Sequence, residues 1–183
     1  MQMSTFYSIP KGVTHSLIKH SYIQGNIFVP NDPLNVLSDQ LKAHNLTVST
    51  NTEKENLTNP IWWVNERTKQ HDWVVASTLG SEPENEYILE YGMQIAKNGI
   101  AVLDRLSFLE PVAKRRDFLL KNKLSNMIVL SPRPKFRAIG SSRDSVTACW
   151  FVFQNHDDWH DGTQVSYGIN WDQIDPLPTL PEA

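Results

Sequence analysis

The chain has 183 residues, 40% of them hydrophobic with six Trp, and carries a formal net charge of -3. That length and apolar content suit one domain with a sizeable core, which excludes global disorder. No apolar run approaches the roughly 18 to 20 residues that cross a bilayer, and Met1-Gln2-Met3-Ser4-Thr5 lacks a charged-then-apolar leader, so a soluble cytoplasmic protein with no membrane partner is expected.

The net charge hides a segregation. Between Pro111 and Arg143 stand nine basic residues against one acid, Asp117, leaving eight basic and nineteen acidic residues elsewhere. From Gln154 onward there are six acids and no Lys or Arg. A cationic segment inside an acidic protein points to an anionic partner. The single Cys149 lies in the apolar run Thr147-Ala148-Cys149-Trp150-Phe151, which predicts a small buried thiol.

In chain order, Asn26 to Val29 reads as a first strand. Leu34, Leu37 and Leu41 then fall at helical spacing up to Lys42. Leu46 to Thr50 reads as the second strand. Asn59-Pro60-Ile61-Trp62-Trp63 follows a polar stretch and is expected to be a Pro-containing turn with a Trp pair on the sheet edge. Trp73 to Ala76 forms the next apolar strand. A helix is predicted from Pro83, where Pro suits an early helical position, buried through Ile88, Leu89, Met93, Ile95 and Ala96.

Beyond Gly99, Ile100 to Leu103 is predicted as a strand, and Pro111 to Lys123 as a basic helix buried through Val112, Phe118 and Leu119. Asn126 to Leu130 is a further strand. Ser131 to Asp144, with two prolines, a glycine and four basic side chains, reads as a loop. Ser145 to Phe153 is the most strand-like stretch. His156-Asp157-Asp158-Trp159-His160-Asp161 has metal-ligand residue types, but Gly162 and the dense acids favour a solvated turn, so no metal is expected. The domain is placed at residues 1–153, with an acidic, Pro-containing extension over 154–183.

Three blocks carry a family resemblance: Asn98 to Glu110, Pro132-Arg133-Pro134-Lys135-Phe136, and Asp144 to Phe153. In order and spacing they resemble the second half of the small phage-type adenine-N6 DNA methyltransferases. The resemblance implies an α/β three-layer sandwich, a Rossmann-like sheet of seven strands with the last antiparallel, and S-adenosylmethionine as cofactor. It also implies a phage or mobile-element source and hence the host cytoplasm.

Phe6-Tyr7-Ser8-Ile9-Pro10 resembles the segment that closes over the cofactor, giving Tyr7 and Pro10 as vestigial contacts with Pro30 and Glu53. The chain departs from the family where chemistry is done. Val29 replaces the carboxylate after the first strand, and Pro33 and Asn35 replace glycines that let backbone approach cofactor. Asn51 and Thr52 stand near the ribose-binding acid, with Glu53 slightly beyond. The catalytic Asn-Pro-Pro-aromatic turn, whose side-chain oxygen and next main-chain carbonyl hold a flipped adenine, is replaced by Ser77-Thr78-Leu79-Gly80.

The expectation is therefore a catalytically lapsed protein with no cofactor, a methyltransferase-like pseudoenzyme that binds nucleic acid or protein. Arg115, Arg116, Arg133, Lys135, Phe136, Arg137 and Arg143 are the expected nucleic-acid contacts. The protein partners considered are an active methyltransferase subunit and a host defence protein, the latter through interference by a mobile element. The enzyme alternative is a divergent, active methyltransferase using Ser77, with Glu53 on the ribose of S-adenosylmethionine.

Overall fold

Strands that are apolar on both sides need cover on both sides, and the chain supplies it from alternate crossovers. The computed structural model describes residues 9–80, 83–136, 146–155 and 162–173. Helix α1 (Lys11–His20) leads into β1 (Asn26–Val29), α2 (Val36–Lys42) and β2 (Thr47–Thr50). Two short helices, α3 (Lys54–Leu57) and α4 (Pro60–Arg67), precede β3 (His71–Ser77), α5 (Glu84–Ile95) and β4 (Ala96–Arg105). A 3-10 turn at Leu106–Leu109 leads to α6 (Ala113–Lys121), then β5 (Leu124–Ser131), β6 (Ala148–Gln154), β7 (Gln164–Ile169) and a 3-10 turn at Trp171–Gln173.

The strands form one sheet in the order β2-β1-β3-β4-β6-β5-β7. All are parallel except β6, which runs antiparallel to β4 and β5. This is the α/β three-layer architecture expected, and residues 148–154 are the antiparallel strand. The sheet does not end there. Beyond Phe153, residues 164–169 add β7, pairing Met127 with Val165 and Val129 with Tyr167. No strand was assigned to this stretch because its outward residues are apolar and its inward ones are Ser166 and Gly168, the reverse of the usual pattern.

One face of the sheet, with Ile27, Val29, Val75, Leu103, Ile128 and Trp150, packs against Val13 and Leu17 of α1 and Leu37 and Leu41 of α2. The other, with Phe28, Val74, Val102, Phe151 and Phe153, packs against Trp63 of α4, Ile88 of α5 and Phe118 of α6. Buried polar atoms stitch these layers: the Trp150 indole donates to the Val13 carbonyl at 2.9 Å. Among the described residues no helix is long and apolar enough to cross a membrane.

Three local expectations need correction. Asn59-Pro60 is a helix start: Asn59 Oδ1 accepts from Ile61 N–H at 3.0 Å and Pro60 occupies the first helical position. Trp63 then points into the core rather than along an edge, its indole bonded to the Leu57 carbonyl at 2.8 Å. Val112 lies ahead of α6 and is exposed, so α6 is anchored mainly by Phe118.

Candidate functional site

In an open parallel sheet, ligands bind beyond the carboxyl ends of the strands, at the point where the strand order reverses. Here the reversal lies between β1 and β3, since the chain passes from β1 outward to β2 and then returns to β3. Three segments meet at that end: the loop after β1, the turn after β3, and Asp104 near the end of β4.

The loop after β1 is closed on itself. Asp32 is buried, and its carboxylate accepts from the main-chain N–H of Leu37 at 3.3 Å and of Ser38 at 2.7 Å, and from the Ser38 hydroxyl at 2.6 Å. It caps α2 from three residues ahead of Asn35, whose own side chain makes no cap bond. Pro33 follows Asp32 in a turn closed by Asn35 N–H to the Asp32 carbonyl at 2.9 Å. Asn35 takes φ +55°, so a left-handed residue is present where the resemblance implies glycine, supplied by the side chain that tolerates it best after glycine.

The neighbouring end of β2 is tied to the same loop. Thr50 Oγ1 donates to the Val29 carbonyl at 3.0 Å, and Asn51 Nδ2 donates to the Pro30 carbonyl at 3.2 Å and the Glu53 carbonyl at 2.9 Å. Asn51 Oδ1 accepts from Glu53 N–H and Asn56 Nδ2, both at 3.3 Å. Pro30 is buried, and Glu53 is an exposed residue whose carboxylate accepts from Asn56.

At the turn after β3, Thr78 Oγ1 donates to Asp104 Oδ2 at 2.6 Å and Thr78 N–H to the Leu103 carbonyl at 3.0 Å. Asn85, in the first turn of α5, donates to the Thr78 carbonyl at 3.0 Å and the Gly80 carbonyl at 3.2 Å. Leu79 is turned into the core, 7% exposed, in the cluster that holds Val29 and Trp150. Ser77 is half-buried. Burial raises the Asp104 carboxyl above its ordinary value, opposed by the Thr78 hydroxyl, the Arg105 N–H and the guanidinium groups of Arg115 and Arg105.

No protein-family model matches the sequence, and no curated protein matches it. Solved structures do. A protein described as a class I S-adenosylmethionine-dependent methyltransferase of Listeria monocytogenes superposes with a TM-score of 0.52 at 12% identity, over 91% of this chain and 67% of that one. The modification subunit assigned to a type I restriction enzyme of Vibrio vulnificus YJ016 superposes with a TM-score of 0.54 at 13% identity, over 81% of this chain and 44% of that one. The fold is that of the S-adenosylmethionine-dependent methyltransferases.

In that methyltransferase fold the three expected motif positions come together at one end of the sheet, as the sequence order implied, and Pro10, half-buried, starts α1 above the same face. Tyr7 lies outside the described residues, as do Arg137 and Arg143.

Among the described residues the expected nucleic-acid contacts do not form one set. Phe136 is 2% exposed and belongs to the core, so it is not presented to a base or sugar. Arg115 is engaged within the protein, its guanidinium reaching the Ser107 and Phe108 carbonyls at 3.3 Å and lying 5.0 Å from the Phe108 ring centroid. Arg116 and Arg133 are exposed and Lys135 is half-buried. Sequence reasoning missed Asp32, Asn85 and Asp104. The signal for Asp32 was an Asp ahead of a helix start; Asn85 and Asp104 had none without the fold.

Proposed function

We propose that this chain is a methyltransferase-fold protein that no longer transfers methyl groups and serves as a nucleic-acid-binding module. The observation that carries the reading is the turn after β3. The main-chain carbonyl that would receive the adenine amine already accepts from Asn85, and Leu79 is turned into the core.

The cofactor fares no better at the neighbouring loop. The residues there do not fit S-adenosylmethionine: the α2 amides are taken by Asp32, Val29 brings no carboxylate, and Asn51 is committed to the protein's own backbone. What supports nucleic acid is the segregated charge of 111–143 with Arg116 and Lys121 exposed on α6, and a superposable neighbour whose described role is restriction-enzyme modification.

Calorimetry with S-adenosylmethionine, together with transfer of labelled methyl to DNA, tests the lapse. Neither binding nor transfer is expected, and micromolar cofactor binding would overturn the reading. A protein partner, such as an active methyltransferase subunit, is the second reading. It is favoured by β7, an edge strand whose Val165, Tyr167 and Ile169 are exposed on one face.

A further inference from the structure

The opposite end of the sheet holds a cavity of about 530 Å³, between the C-terminal end of α1, the starts of β5 and β7 and the end of β6. Its volume lies in the range of small-molecule sites, roughly 300 to 1,000 Å³. It is remote from the strand ends where the methyltransferase fold places its cofactor, because β5 and β7 enter there rather than leave.

The lining is polar but, among the described residues, contains no Lys, Arg, Asp or Glu. Among the described lining residues His20 is the imidazole, and burial, Lys19 and His15 lower its pKa, which keeps it neutral at pH 7. Among those residues a phosphate or carboxylate finds no countercharge.

Three hydroxyls of the lining have already spent their protons. Ser21 donates to the Leu17 carbonyl, Ser125 to the Val152 carbonyl at 2.8 Å and Thr163 to the Leu124 carbonyl at 2.8 Å. Each retains only acceptor capacity, so a ligand must bring N–H or O–H donors. The carboxamides of Gln154 and Gln164 form no hydrogen bond to a described residue, and each sets a donor beside an acceptor, the pattern that matches the amino edge of adenine.

We propose that this cavity binds an amino-bearing nucleoside, its base on Gln154 and Gln164 and its sugar hydroxyls on Ser21, Ser125 and Thr163. The site is independent of the lapsed methyltransferase reading and stands if that reading falls.

Saturation-transfer NMR and calorimetry of the full chain with adenosine test it. Adenosine binding at millimolar concentration or tighter is expected, and no binding at about 10 mM overturns the proposal. The paired change Gln154→Ala and Gln164→Ala is expected to weaken binding by roughly tenfold, as loss of a bidentate base contact does. Adenosine binding indifferent to the paired change overturns the assignment. Purine riboside, which lacks the amine, is expected to bind several-fold more weakly, and equal affinity counts against the donor argument.

Discussion

Asp32 shows how one side chain builds the loop after β1. Its carboxylate meets two main-chain N–H groups and a hydroxyl while buried, so Asp32→Ala leaves those donors without a partner. A loss of about 1 to 2 kcal/mol is expected, the usual cost of a removed N-terminal cap, read as a lower urea midpoint with an unchanged slope. Asp32→Asn, which keeps one acceptor, should fall between. Asp104 has the opposite character. Burial raises its carboxyl pKa, so the folded state holds the proton more tightly than the unfolded state does. Stability from this group is greatest below the ordinary value of 3.8 and falls as pH rises toward the raised folded value. Asp104→Asn should therefore raise the thermal midpoint at pH 7 and lose that advantage below the ordinary carboxyl pKa. A midpoint at pH 7 lower than that of the parent protein would show that the Thr78 bond outweighs the desolvation. Cys149, with its thiol pushed up to about 11 by burial, stays protonated at neutral pH.

At the scale of elements, the sequence was most legible where periodicity and burial agree. β1, β3, β4, β5 and β6 are apolar on both faces because helices cover both, and each was visible as a short apolar run. α4 was misread because Asn-Pro serves both as a turn signal and as a helix start, and only the Asn59 bond to Ile61 N–H decides between them. β7 was missed because its partner on the sheet's covered face is not a typical core residue. Gly168 sits against Ser16 of α1, and a Cβ there would lie 2.8 Å from the Ser16 hydroxyl oxygen. The same helix meets the turn after β7 through Gly12, where an added Cβ would stand 1.8 Å from the Trp171 carbonyl oxygen. Backbone on backbone has no flexible end to move, so Gly12→Ala must displace the Trp171–Gln173 turn and break the Trp171 indole bond to the Pro132 carbonyl. A destabilisation of about 1 to 3 kcal/mol is expected, as for overpacked cores, with a shift in Trp fluorescence that reports the displaced indole. Unchanged stability and fluorescence would mean that residues 171–173 contribute no packing to α1.

Over the whole molecule, the candidate site was legible as a position but not as a state. The order of blocks put Ser77 to Gly80 after a central strand, and the sheet topology agrees. The hydrogen bonds at that position join residues far apart in sequence, such as Thr78 with Asp104, and no local pattern encodes those. The charge distribution is different, since it needs no fold to be seen and makes a prediction at the scale of the whole chain. If the 111–143 segment contacts phosphates, the affinity for duplex DNA falls with salt at a slope of about 0.9 per phosphate neutralised. Arg116 and Lys121 are exposed on α6, whereas Arg115 is held by the Ser107 and Phe108 carbonyls, so the first two carry the test. Arg116→Glu with Lys121→Glu should weaken DNA binding and lower the slope by roughly two contacts, about 1.8 units. Arg115→Ala should instead lower stability, by releasing the turn it ties to α6. A flat salt dependence, or a slope untouched by the double reversal, would move the partner from this helix to the apolar edge of β7, where binding to a protein surface would be nearly insensitive to salt.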